Sequence, residues 1–203
     1  MNMVTHIVGG GMGILGLAVC LYLALEREDP FAVAGALIYG FSLTALYTVS
    51  SIYHGLKPST GKKVLQIIDH CTIYLLIAGT YTPVTLCLFR PADPMLGWGM
   101  LVFQWGLAAV AVTLTAIDLK KYNVFSMICY IGMGWAVLPF LRITRNLLGQ
   151  MGFAFLLTGG IAYTVGAVLY GIGSKKPWFH SVFHIFVVLG SLLQLPCVMF
   201  YVL

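Results

Sequence analysis

What this sequence lacks most is charge. Asp, Glu, Lys and Arg make up 8% of its 203 residues, against roughly 25% in a soluble domain. A chain so poor in charge cannot cover a water-facing surface, which excludes a soluble globular protein. A continuous basic face is also missing. The net charge of +5 comes from lysines and arginines scattered between apolar runs, so no nucleic-acid partner is expected. No CxxC pair occurs, and the five cysteines (Cys20, Cys71, Cys87, Cys129 and Cys197) are odd in number and sit inside apolar runs, which reads as free thiols. No basic segment precedes the first apolar stretch, so Val4 to Leu25 reads as a span rather than a cleavable signal. Internal repeats are absent, as are the short alternating segments that a membrane barrel would need.

What is present is apolar sequence. The chain is 60% hydrophobic, with runs at 4–25, 31–54, 65–89, 95–117, 124–141, 151–172 and 178–201. A helix needs about 20 apolar residues to cross a bilayer, and only helices satisfy their own backbone while apolar on all sides. The expected fold is therefore an all-α membrane protein, one domain over residues 1–203, with seven transmembrane helices. Polar or turn-rich clusters separate the runs, as at Glu26-Arg27-Glu28-Asp29-Pro30 and Arg90-Pro91-Ala92-Asp93-Pro94. Asp93 and Asp118 fall in such loops and read as solvated. Pro83, Pro139 and Pro196 lie inside runs and predict kinks, and Gly9 with Gly13 permits close helix contact. With seven spans, the loops on the N-terminal side hold Lys57, Lys62, Lys63, Lys120, Lys121, Lys175 and Lys176, while those on the other side hold Arg27, Arg90, Arg142 and Arg145. The excess of basic residues predicts a cytoplasmic N-terminus and an external C-terminus.

Polar residues within spans are costly and are functional by default. Three groups stand out: Ser50 to His54 at the end of the second run, Asp69-His70 in the third, and His180 to His184 at the start of the seventh. The predicted topology brings all three to one depth near the cytoplasmic face. His180 and His184 are four residues apart, so both rings project from one helix face; Ser50 and His54 share that relation. Adding His54 makes three imidazoles, and catalytic zinc sites typically combine three protein ligands with a water. Asp69 is placed to hold or deprotonate that water, and Ser50 to hydrogen-bond it or a substrate carbonyl. Position 181 is serine, so this is not the HExxH pattern and the base must come from another helix. His70 lies about 100° around from Asp69 and reads as bonded to a neighbouring helix; His6 reads equally as a supporting or a packing residue.

Ser50-x-x-x-His54, Asp69-His70 and His180-x-x-x-His184, with the strings Ser51-Ile52-Tyr53-His54 and Gly79-Thr80-Tyr81-Thr82-Pro83, resemble the hemolysin III family within the progestin and adipoQ receptor superfamily. The resemblance covers essentially the whole chain. It implies seven helices around a cavity, zinc on His54, His180 and His184 near the cytoplasmic face, and a water positioned by Asp69 and Ser50. Related receptors and ceramidases point to membrane lipid as the partner and to hydrolysis of lipid amides. The receptors' long N-terminal region has no counterpart here, so no protein hormone is expected. Four activities remain open at this stage: a zinc-dependent intramembrane hydrolase of a lipid amide or ester, a regulator of membrane lipid homeostasis with structural zinc, a pore-forming cytolysin, and a haem protein. The carboxylate and hydroxyl beside the histidines favour the first.

Overall fold

The computed structural model describes residues 2–172 and 177–203. Lys175, Lys176 and the side chains of Asn2, Pro177 and His180 lie outside the described residues. Helices α1 (Asn2–Glu26), α2 (Pro30–Gly55), α3 (Thr60–Pro83), α4 (Pro94–Ile117), α5 (Asn123–Gly134), α6 (Leu141–Ile172) and α7 (Pro177–Cys197) carry the chain, and no strand occurs among the described residues.

The polar clusters start helices as well as separating them. The Asp29 carboxylate accepts from the Phe31 amide ahead of Pro30, the Ser59 hydroxyl accepts from Lys62 N, and Asp93 accepts from Met95 N and Leu96 N ahead of Pro94. These are N-caps, two with proline at the first helical position. Asp118 likewise accepts from the amides of Lys120 and Lys121. Asp93 and Asp118 are exposed, as expected, and order the backbone as well.

Each expected kink has a local counterpart. Proline removes one amide from the helical ladder. After Pro83 the ladder widens into a π-helix at Val84–Phe89, and after Pro196 into another at Val198–Val202. Pro139 sits in a 3-10 turn, Leu138–Phe140.

The sequence predicts seven crossings. Six stretches among the described residues are long and apolar enough to cross a membrane, because Asn123–Ile172 forms a single helical stretch of 50 residues where the sequence predicts two spans. That stretch is not straight. It turns after α5, and α6 is broken at Gly149, whose φ of 68° is the left-handed conformation glycine tolerates.

Packing runs inside out relative to a soluble protein. Leu15, Phe41, Val102 and Ile172 face outward, where lipid replaces water. α3, continuing to Ala92, is the central helix: 83% of its apolar window is buried, against half or less for every other span. Close approach sets the neighbours. A Cβ at Gly79 would overlap the Ser42 side chain, and one at Gly35 would come 2.9 Å from Pro83 Cα, so the Gly79–Pro83 string is the seam between α2 and α3. Gly9 and Gly13 serve α1 in the same way, facing Tyr47 and Thr44. On α6, Gly152, Gly159 and Gly166 recur every seven residues and face Tyr201, Gln194 and Phe186 in turn. That falling order makes α6 and α7 antiparallel, with a small-residue seam between them.

Candidate functional site

A group of polar residues gathers where four helix ends meet. His6 comes from the start of α1, Ser50 and His54 from the last turns of α2, Asp69 from the early turns of α3, and His184 from α7. The short α2–α3 connection holds two of these ends together. Its Ser59 cap starts α3, while Lys62 Nζ reaches back to the Leu56 carbonyl at 2.7 Å and lies 5.3 Å from the Tyr53 ring.

Within this layer His184 Nδ1 is 2.6 Å from His6 Nε2, one donating to the other according to tautomer. The His54 and His184 rings meet edge to face at 4.7 Å, those of His6 and His184 at 4.2 Å, and those of His6 and His54 at 6.5 Å. Ser50 and Asp69 come from different helices and both line the same cavity. His6, Ser50 and His184 are each 3% exposed or less. Ser50, His54, Asp69 and His184 thus share one layer. His180 contributes its backbone to α7, but its side chain is outside the described residues.

His6 is the addition that sequence spacing did not secure. It is hydrogen-bonded to His184 and lies 6.5 Å from His54, and its ring also packs on Tyr47 at 5.1 Å. A histidine this early in the first span was the available signal. His70 differs from expectation: its Nδ1 bonds the Gln66 carbonyl of its own helix at 2.8 Å, not a neighbouring helix. The neighbour reaches it the other way, with the Tyr130 hydroxyl donating to the His70 backbone carbonyl.

Imidazoles with a carboxylate and a hydroxyl make a donor set suited to zinc. Among the described residues no three His, Cys, Asp or Glu side chains are grouped to hold an ion. The 2.6 Å contact explains this in part. It is a hydrogen-bond distance, whereas two nitrogens on one tetrahedral zinc sit roughly 3.3 Å apart. His6 and His184 therefore do not chelate through this pair of nitrogens. The contact instead engages His184 Nδ1. Metal-binding histidines commonly have one ring nitrogen held by a partner while the other binds. With Nδ1 held by His6, the His184 ring has the one-sided support that a metal-binding imidazole commonly has.

The layer closes one end of a cavity. His6, Ser50, Asp69, His70 and His184 line its polar end, Ile73, Leu76, Val84 and Leu156 belong to its apolar wall, and Tyr163 and Gln194 also line it. Its empty volume, including the mouth, is about 1580 Å³. His54 does not line the cavity but backs His184. Tyr163 and Gln194 were not singled out from the sequence, although a glutamine in the middle of the last apolar run was a visible signal.

A family model described as "Haemolysin-III related" matches residues 1–195. The chain is 37% identical to Hemolysin-3 of Bacillus cereus over 203 residues, covering 100% of this chain and 90% of that protein. It is 34% identical to the Hemolysin-3 homolog of Bacillus subtilis (strain 168) over 200 residues, covering 98% and 92%. Similarity extends to the human monocyte to macrophage differentiation factor, 30% identical over 168 residues, covering 79% of this chain and 67% of that one. No solved structure matches the chain.

Proposed function

The chain belongs to the haemolysin-III-related family of multi-pass membrane proteins, and from that premise we propose that it is a zinc-dependent intramembrane hydrolase of lipid amides or esters. The observation that carries this reading is the cavity. It joins a buried Ser50–Asp69–histidine layer to an apolar interior long enough for an acyl chain, so a lipid carbonyl can rest at the polar end with its tail inside. Pockets for small ligands combine a mainly apolar wall with a few convergent polar groups in this way.

Zinc would be held by His54, His180 and His184, where it would supply a Lewis acid and lower the pKa of a water. The protein's own groups divide the remaining work. Asp69 accepts the proton of the attacking water and returns it to the leaving group. Ser50, once the substrate carbonyl is near, offers a donor to the oxygen on which charge develops. The apolar walls keep bulk water from the layer.

Seven crossings with a cytoplasmic N-terminus belong to the same proposal. The Asn123–Ile172 stretch would be about 75 Å long if straight, more than twice the roughly 30 Å hydrocarbon core. Its break at Gly149 falls in the loop expected between Arg142 and Gln150, which supports two passes. The lysine-rich loops then put the histidine layer on the cytoplasmic side.

The test is purified, reconstituted protein against a panel of lipid amides and esters, wild type beside Asp69→Asn. Wild type should turn over at least one class, and the variant should keep its zinc and lose about 10²–10⁴-fold in rate. No hydrolysis by wild type across the panel refutes the enzyme. The name Hemolysin-3 borne by the Bacillus cereus relative favours a second reading, membrane lysis. Vesicle leakage that Asp69→Asn leaves unchanged, with no lipid cleaved, would support lysis in place of hydrolysis.

A further inference from the structure

A second set of polar side chains lies deeper in the same cavity, away from the histidine layer. Tyr163 on α6 and Gln194 on α7 both face it. Ser191 and Gln194 follow His184 by seven and ten residues, which sets them about 10 and 15 Å further along the helix. At that depth an unsatisfied polar group is costly.

Each of the two side chains is seated on a glycine of the facing helix. A Cβ at Gly159 would overlap Gln194 Cγ, and one at Gly190 would lie 2.8 Å from the Tyr163 ring. The seam between α6 and α7 therefore sets where both polar groups sit. Among the described residues the Gln194 amide has no protein hydrogen bond, so its two donors and one acceptor are available to the cavity. Tyr163 belongs to a hydrogen-bonded chain of hydroxyls. The Tyr47 hydroxyl donates to Ser191 Oγ at 2.7 Å, and Ser191 Oγ is 2.6 Å from the Tyr163 hydroxyl. Ser191 is fully buried. With its lone pair engaged by Tyr47, Ser191 can donate to Tyr163, which leaves the Tyr163 proton for the cavity.

We propose that Tyr163 and Gln194 form a polar subsite that binds a hydroxyl group in the middle of a lipid chain, making mid-chain hydroxylated acyl lipids the preferred ligand class. A hydroxyl both donates and accepts, and the subsite offers both partners: Tyr163 O–H or the Gln194 amide N–H as donor, and the Gln194 carbonyl as acceptor. The depth matches a tail whose carbonyl end lies at the histidines. The inference rests on the cavity being a lipid site, as in the hydrolase reading, but not on hydrolysis itself.

Competition binding on the reconstituted full chain tests it, with labelled oleic acid displaced by unlabelled oleic acid or by ricinoleic acid, which is oleic acid with one mid-chain hydroxyl. Two hydrogen bonds of the strength found inside membranes predict that ricinoleic acid binds about tenfold more tightly. Gln194→Leu should bring the two acids to equal affinity while keeping oleic acid binding, which also shows that the variant is folded. Tyr163→Phe should narrow the gap, and an acid hydroxylated beside its carboxyl group should behave as oleic acid does. Equal affinities in wild type, a gap that survives both substitutions, or equal benefit from the hydroxyl near the carboxyl group would overturn the subsite. A wild type that prefers ricinoleic acid but cleaves no lipid keeps the subsite and removes the hydrolase, whereas hydrolysis without the preference does the reverse.

Discussion

Replacing His6 by phenylalanine separates a ligand from the group that orients it. The ring at position 6 is buried, 2% exposed, and lies 5.1 Å from Tyr47. Phenylalanine keeps that packing and removes both nitrogens. What is lost is the 2.6 Å contact to His184 Nδ1. Without it the His184 ring loses the partner that holds Nδ1, so part of the cost of fixing its tautomer falls on metal binding. Loss of such a supporting hydrogen bond typically weakens metal affinity 10–100-fold, about 1.4–2.7 kcal/mol. The assay is zinc content after equilibration with chelators of graded affinity, with helicity followed by circular dichroism. His6→Phe should release zinc to a weaker chelator than wild type does, yet still purify with metal. His184→Ala should purify without it. Wild-type affinity in His6→Phe would refute the orienting role. Loss as complete as in His184→Ala would make His6 itself a ligand and displace one of the three assigned from spacing.

The remaining predictions concern the ligand set, the topology and the packing. A His180→Ala/His184→Ala double variant should contain no zinc by elemental analysis; full occupancy would remove the proposed ligand set. A reporter fused after Leu203 should be active only on the external side, and a cytoplasmic signal would mean six crossings or a reversed chain. Gly79→Leu forces a side chain against Ser42 at the α2–α3 seam and should cost about 1–3 kcal/mol of stability, read as a lowered unfolding midpoint in detergent. The chemically similar change at Gly106, where no atom lies within 4 Å of an added Cβ, should leave the midpoint unchanged.

The site was partly legible because helical periodicity turns spacing into direction. Ser50 with His54, and Asp69 at the opposite end of the next helix, were placed in one layer by topology alone, and that layer is where they lie. His6 was not secured in the same way. A lone polar residue in a span has no periodic partner to show which way it points, and only the packing of α1 across Tyr47 brings it onto His184. Tyr163 and Gln194 were missed for a related reason. Their availability depends on Gly190 and Gly159 of the facing helices, and no one-dimensional pattern reports a vacancy opposite a residue.

Residue order alone dictates an all-helical membrane protein and the starts of several of its helices. Hydrocarbon leaves the backbone no partner but itself, and the capping aspartates, serine and prolines mark the starts. Tertiary packing decided the rest. Asn123–Ile172 became one broken stretch because turns at Trp135 and Gly149 preserve helical bonding on both sides while changing direction. Three histidines from α1, α2 and α7 met because glycine seams let those helices approach closely enough for their rings to touch, a distance set by both partners of each seam.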